Sequence, residues 1–269
     1  MVGTFTDKPD EIETILSCHF MENYGNRSNI NVEDLVKELQ ALPIPTLSDQ
    51  DCNLLNRPIS SMEVEDTVFQ LGPHKAFSSD GIPAFFFHEL WPIVKTDVIS
   101  IVQAFFHSGS LFKPLNHIFI TLIPKVTYPE EVNHFRPISL SNVIYKVISK
   151  ILVNRLKPLM DTLITPYQNA FIWGRNVSDN ILLAHEILDV LRKKRGKKYS
   201  FGALKIDMIK ACDKVRWNFL HAVLIVMKFD SKQIKWIMEC VTSVHYTLLI
   251  NGNLTKSFTP AQGLRSPTI

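Results

Sequence analysis

The apolar residues change period several times along the chain. Ile12, Ile15, Leu16 and Phe20 recur at helical spacing and predict a helix over 7–24, with Asp7 placed to cap it and Pro9 in its first turn. A shorter helix is predicted over 31–42, followed by a loop at "PIPTLSDQD", 43–51. Ser60 and Glu63 have the spacing of a capping box and open a third helix. The turn-rich "GPHKAFSSDGIP" (72–83) reads as an irregular loop. Helical spacing returns over 92–107, and Gly109 is a plausible stop.

At "NHIFITLIPK" (116–125) the pattern becomes β-branched and apolar and is closed by Pro124, which predicts a strand. "FRPISL" (135–140) is its candidate antiparallel partner. Over 141–160, Val143, Ile144, Val147, Ile148, Ile151 and Leu152 line one side of an amphipathic helix. A further helix is predicted over 178–195, then a strand at "YSFGALKID" (199–207) and helices over 214–227 and 231–244. Asn251–Gly252 separates two strand-like runs in 245–260 and signals a hairpin. The order of elements suggests an α+β fold with an antiparallel sheet, because strands and helices do not alternate as in βαβ units.

Composition adds limits to this picture. With 269 residues, 46% of them hydrophobic, the chain can bury one large core or two smaller ones. The net charge of +3 neither demands nor excludes an anionic partner, but "RLKPL" and "RKKRGKK" (192–198) concentrate cations mid-chain, where a phosphate-binding face could form. Cysteines 18, 52, 212 and 240 form no CxxC pair and have no histidine cluster beside them. That disfavours a zinc site or a disulfide framework and favours a reducing compartment. The first residues lack the apolar run of a signal peptide, and no run of about 18 apolar residues suggests a membrane span.

Three stretches carry candidate chemistry. "FGALKIDMIKACDKV" (201–215) ends an apolar run on Asp207, which could hold a divalent cation at the mouth of a sheet or simply cap the helix that follows. Asp213 reads as a structural cap or ion-pair partner rather than a ligand. Lys125 and Arg136, beside strand ends, could grip a triphosphate or could be solvated surface cations. In "QNAFIWGRNVSDN" (168–180), aromatics beside Arg175 could stack on bases, or Phe171 and Trp173 could sit in the core before a helix.

Taken in order, "KAFSSDG", "LIPK", "FRPISL", "YKVISKILVNRL", "QNAFIWGRNVSDN" and "LKIDMIKACDKVRWNFL" resemble the reverse transcriptase of LINE-type (non-LTR) retrotransposons, especially the plant branch. The likeness runs over about 72–265. It implies a polymerase right-hand fold: a helical N-terminal extension (1–71), a helix-rich fingers-like region (72–198) and a partial palm (199–269) with an antiparallel sheet. On these motifs, Asp207 matches the palm's first metal-binding aspartate and would share Mg²⁺. Lys125 and Arg136 match fingers cations facing the incoming nucleotide and template. Gln168, Gly174 and Arg175 match a template- or primer-facing motif. Gln262 and Gly263, in "QGLRSPTI", match the start of a segment supporting nucleotide and template, with Ser266 in place of the usual Gln. The implied chemistry is RNA-templated DNA synthesis by two-metal nucleotidyl transfer, with an RNA template, a DNA primer and deoxynucleotides as partners.

The sequence also departs from the family pattern. No Tyr-x-Asp-Asp box, which supplies the other metal carboxylates, follows the hairpin. Cys212 stands where an aromatic ring is expected to block a ribose 2′-hydroxyl. "KAFSSDG" lacks the usual Pro and Gly. The expectation is therefore a truncated reverse-transcriptase-like domain, inactive alone. The alternatives are a nucleic-acid-binding fragment without chemistry and a pseudogene product without function.

Overall fold

The computed structural model describes residues 6–25, 30–74, 80–193, 202–208 and 210–264. Most of "KAFSSDG", the tail of the basic run (194–198), and Arg265 and Ser266 fall outside these residues.

The N-terminal part is helical. It comprises α1 (Pro9–Tyr24), α2 (Val32–Gln40), α3 (Asp49–Leu55), α4 (Ser61–Phe69), α5 (Ala84–Glu89) and α6 (Trp91–Ser108). Lys8 rather than Asp7 is the N-cap of α1, and its side chain makes no capping bond. The Ser60 side chain accepts from the Glu63 N–H as expected. The Glu63 carboxylate does not complete the box; it pairs with Arg155 instead. Gly109 ends α6 in the left-handed region at φ 65°. The 43–51 loop gives way at Asp49 to α3, which is started by a full Ser48–Asp51 capping box. The sequence reading missed this helix, along with the six-residue α5.

The strands then form β1 (His117–Pro124) and β2 (Phe135–Leu140), antiparallel with Phe119 opposite Leu140. The chain continues through α7 (Val143–Leu156), α8 (Met160–Leu163), α9 (Val177–Lys193), α10 (Trp217–Val226) and α11 (Ser231–Thr242). It returns as β3 (His245–Ile250) and β4 (Asn253–Leu254), joined at Asn251 and Gly252, both at positive φ as a tight hairpin turn requires. The four strands make one sheet in the order β2-β1-β3-β4.

Two expectations need correction. The sheet is mixed rather than purely antiparallel, because β3 runs parallel to β1, with Ile118 opposite Tyr246. A parallel pair needs a long crossover, and the whole of α7–α11 separates these two strands. The expected strand at 199–207 is absent over its described part: residues 202–208 have no regular structure and lie exposed. The described sheet is complete without it, in the order β2-β1-β3-β4.

Three apolar clusters hold the rest. The largest joins α4, α5, α6 and α7, with Val147, Ile148 and Ile151 fully buried, and Trp236 and Cys240 of α11 against them. Burying side chains of this size contributes roughly 1.5–3 kcal/mol each. The second presses Leu16, Phe20 and Tyr24 of α1 onto Ile118, Ile120, Tyr246 and Leu248 of the sheet. The third packs α3 and the α8 region against α10 and α11 through Leu55, Leu163 and Leu224.

Candidate functional site: a basic cleft closed by the first helix

A cleft of about 650 Å³ opens where β1 and β2 end, opposite the 210–216 segment. Lys125 follows β1 directly, and its backbone N–H donates to the His134 carbonyl, extending the β1–β2 pairing. Its ammonium donates to the Asn133 carbonyl at 2.9 Å. Arg136, one residue into β2, faces the same space. Lys210, Lys214 and Arg216 line the other wall, so five Lys and Arg side chains meet two carboxylates, Glu22 and Asp213. Such a cleft favours polyanions, because low-dielectric walls focus the field of like charges.

The third wall is α1. His19, Phe20, Glu22, Asn23 and Tyr24 line the cleft together with Gln262. The 261–264 segment is stitched to its surroundings on both sides. Ala261 N–H donates to the Tyr24 carbonyl at 2.6 Å, and the Gln262 amide donates to the Asn23 carbonyl at 2.8 Å. Gly263 N–H donates to the Val215 carbonyl and Leu264 N–H to the Cys212 carbonyl, each at 2.8 Å. The Trp217 indole donates to the Gly263 carbonyl at 2.9 Å. Gly263 has φ +93°, and a Cβ there would lie 2.9 Å from the Asp213 carbonyl and 3.3 Å from the Tyr24 ring. Only glycine fits both the conformation and the space.

Burial shifts the titrating groups of this wall. It pushes the Asp213 carboxyl above its ordinary value, against the opposing pull of the Tyr24 hydroxyl at 3.4 Å and of Lys210. Tyr24 is raised well beyond the tyrosine range, first by burial and then by the Asp213 charge. His19 is lowered, first by burial and then by Lys210, against the opposing pull of Glu22. Asp213 is thus part of the cleft wall, where the sequence offered only a cap or ion-pair role. The α1 residues were not singled out from sequence. The Phe20–Tyr24 spacing was visible as part of a helical apolar stripe, but which face would meet the sheet was not.

The other expected site residues are distributed differently. Lys125, Arg136 and Gln262 share the cleft, with Gly263 next in the chain. Cys212 has an exposed thiol; only its backbone carbonyl engages the 261–264 segment. Gln168, Gly174 and Arg175 do not line the cleft. The Arg175 guanidinium, largely buried, ties the 161–168 turn together. It donates to the carbonyls of Thr165, Ile164 and Gln168 and to the Asp161 carboxylate. The Gln168 amide donates to the Ala170 carbonyl, and Gly174 has φ 79° with open space around it. Phe171 and Trp173 are not core residues: they are 96% and 74% exposed, and the Lys157 ammonium sits 3.4 Å from the Trp173 ring centre.

Asp207 is exposed on the irregular 202–208 segment and is not part of the cleft lining. Among the described residues no three His, Cys, Asp or Glu side chains gather so that they could hold a metal ion. The described residues therefore do not by themselves fit a two-ion centre. No helix among them is long and apolar enough to cross a membrane.

The described residues form a helix-rich α+β body with a basic cleft beside its mixed sheet. Residues 123–266 match the model of the reverse transcriptase (RNA-dependent DNA polymerase) family, and the chain belongs to that family. It is 26% identical over 222 residues to "Transposon TX1 uncharacterized 149 kDa protein" of Xenopus laevis, covering 82% of this chain and 17% of that protein. It is 24% identical over 238 residues to "Retrovirus-related Pol polyprotein from type-1 retrotransposable element R1" of Bradysia coprophila, covering 86% of this chain and 21% of that one. The chain thus spans about a fifth of the length of these relatives. The resemblance to non-LTR retrotransposon reverse transcriptases holds on these matches. Members of the family act on a nucleic-acid template with nucleotide substrates and use divalent cations.

Proposed function

We propose that the cleft takes the triphosphate of an incoming deoxynucleotide, and that the domain is the nucleotide- and template-holding part of an RNA-directed DNA polymerase. The supporting observation is the convergence of Lys125, Arg136 and Gln262 on one cavity, although more than 120 residues separate Gln262 from the two cations. Arg136 offers forked donors and Lys125 a point charge, which suits a polyphosphate. Gln262, held by the Asn23 carbonyl, is pre-set beside them. In the reaction, a primer 3′-hydroxyl attacks the α-phosphorus and pyrophosphate leaves. These cations neutralise the departing charge. Asp207 would be the carboxylate this chain offers toward a divalent cation, which would stabilise the attacking and leaving oxygens; the described residues gather no further ligands beside it. Residues 1–71, 72–198 and 199–269 serve as extension, fingers-like region and palm-like region.

Titration with a fluorescent deoxynucleoside triphosphate tests the reading. Hydrogen bonds to charged groups contribute about 1.5–3 kcal/mol, so Arg136→Ala should weaken binding by about tenfold or more. Equal affinity of variant and parent would remove Arg136 from the site. The exposed, irregular setting of Asp207 favours a second reading, in which the domain binds without chemistry. Primer extension with Mg²⁺ or Mn²⁺ separates the two: robust product refutes binding alone.

A further inference from the structure

A second cleft, of about 640 Å³, lies between the 56–59 turn, the C-terminal end of α6 and the start of α11, and shares no lining residue with the first. Its size is that of a ligand site. Its lining holds Arg57, Lys232 and Lys235, with His107 beside them and no Asp or Glu among the lining residues. The first cleft mixes carboxylates among its cations; this one does not. Two of the cations are already fixed in place. The Lys235 ammonium donates to the Ser108 carbonyl at 2.8 Å. Its stem crosses Gly109 so closely that a Cβ there would lie 2.8–2.9 Å from it. The Arg57 Nε donates to the Leu54 carbonyl at 3.1 Å. A guanidinium has five donor hydrogens and an ammonium three, so each head keeps most of its donors unspent by these bonds.

A bland account covers part of this. Lys235 caps the last turn of α6, where a cation is favoured by the helix dipole. That leaves unexplained why Arg57, from a separate stretch of chain, opens onto the same space as Lys232 and Lys235, which lie one turn apart on α11. The floor narrows the ligand. The Trp236 indole is spent on the Phe106 carbonyl at 3.1 Å, and the Gln103 amide on the Ile59 carbonyl at 2.9 Å. The cationic heads of Arg57, Lys232 and Lys235 suit phosphate, and beside them the Asn56 amide, the His107 ring and the rest of the Gln103 amide are neutral polar groups of the lining.

We infer that this cleft is a second nucleic-acid site, which holds the phosphodiester backbone of a single strand without reading its sequence. The inference rests on the polymerase reading to the extent that a template longer than the nucleotide cleft must run on across the protein. The assignment is to nucleic acid; an acidic protein partner is the rival the experiment excludes.

The test is titration of the whole chain with labelled oligouridylate at several salt concentrations. The variant is Arg57→Ala with Lys232→Glu. Lys232 is exposed in the first turn of α11, where a carboxylate is tolerated by the helix dipole, and the Lys235 cap is left intact. Each lost phosphate contact should lower the slope of log affinity against log salt by about 0.7 for a single strand. The expected result is at least about a tenfold loss of RNA affinity at low salt and a slope shallower by one or more contacts. An unchanged melting temperature and unchanged deoxynucleoside triphosphate binding should accompany it. Unchanged RNA affinity and slope would overturn the inference, and so would a parent protein that binds no RNA at low salt. Loss of polyglutamate binding with RNA binding intact would overturn it in favour of an acidic partner. Failure of the nucleotide cleft reads out separately, as Arg136→Ala leaving triphosphate binding unchanged.

Discussion

Helices α7 and α9 carry the same kind of sequence and end in opposite states. Both have apolar residues at helical spacing and a basic end. In α7, six of fourteen residues are buried, among them Val147, Ile148 and Ile151 with no exposed surface. In α9, seventeen residues long, none is buried, and Ile181, Leu182, Ile187 and Leu188 stand 43–63% exposed. The neighbouring 202–208 segment is in the same condition, with Leu204 and Ile206 about four-fifths exposed. The difference is one of neighbours. α7 is wrapped by α3, α4 and α6, while the apolar stripe of α9 and the unpaired segment have no comparable packing among the described residues. An amphipathic pattern states that a helix has a face to bury; it does not supply the surface that buries it.

The contrast is broken most severely at Arg155. This side chain, 7% exposed, leaves the end of α7 to meet both Glu63 oxygens at 2.7 Å, and it donates to the carbonyls of Leu55, Arg57 and Pro58. It fastens α7 to the start of α4 and to the turn after α3. Removing one partner of a buried, hydrogen-bonded pair leaves the other charge uncompensated, so Arg155→Ala should cost about 3–5 kcal/mol in urea unfolding. Lysine should not rescue it, because an ammonium cannot reproduce the two-pronged contact. A loss below about 1 kcal/mol would mean that the pair is as open to water as a surface bridge.

The next effect compares the two helices directly. Ile148→Ala, at a fully buried position, should cost about 2–5 kcal/mol. Ile187→Ala, at 48% exposure on α9, should fall within about 0.5 kcal/mol. Equal losses at the two positions would show that α9 buries its stripe in solution, and the comparison would fail.

The same contrast explains what was legible in the sequence. Elements whose stabilising contacts are local or strongly periodic were readable: α7 from its stripe, α6 from Gly109, and the β3–β4 turn from Asn251–Gly252. The pairing of "FRPISL" with the strand before it was also readable, since only a short connection separates them. The parallel β1–β3 pair was not, because its register is set across five intervening helices. The strand expected at 199–207 is not formed over its described part, because apolar composition alone does not supply a strand to pair with. Lys125, Arg136 and Gln262, singled out by motif order, line one cleft. The α1 wall was not singled out, because Asn23 contributes a backbone carbonyl to Gln262, and a carbonyl has no residue signature.

The smallest effect concerns the cleft wall itself. Asp213 has its carboxyl raised, chiefly by burial. Between its unfolded and folded pKa, the folded state therefore holds more proton than the unfolded chain. Stability contributed by this group is full below the ordinary carboxylate value and is lost as pH rises through the raised folded value. Asp213→Asn removes the titration while keeping an amide that can meet the Tyr24 hydroxyl. Relative to that variant, the parent should lose melting temperature as pH climbs just above the ordinary carboxylate range. The two curves should run parallel at higher pH. A parent that gains stability relative to Asp213→Asn over that interval would show the carboxylate to be held by its cations, Lys210 first. The wall between α1 and the 210–216 segment would then be an ion-pair contact rather than a desolvated one.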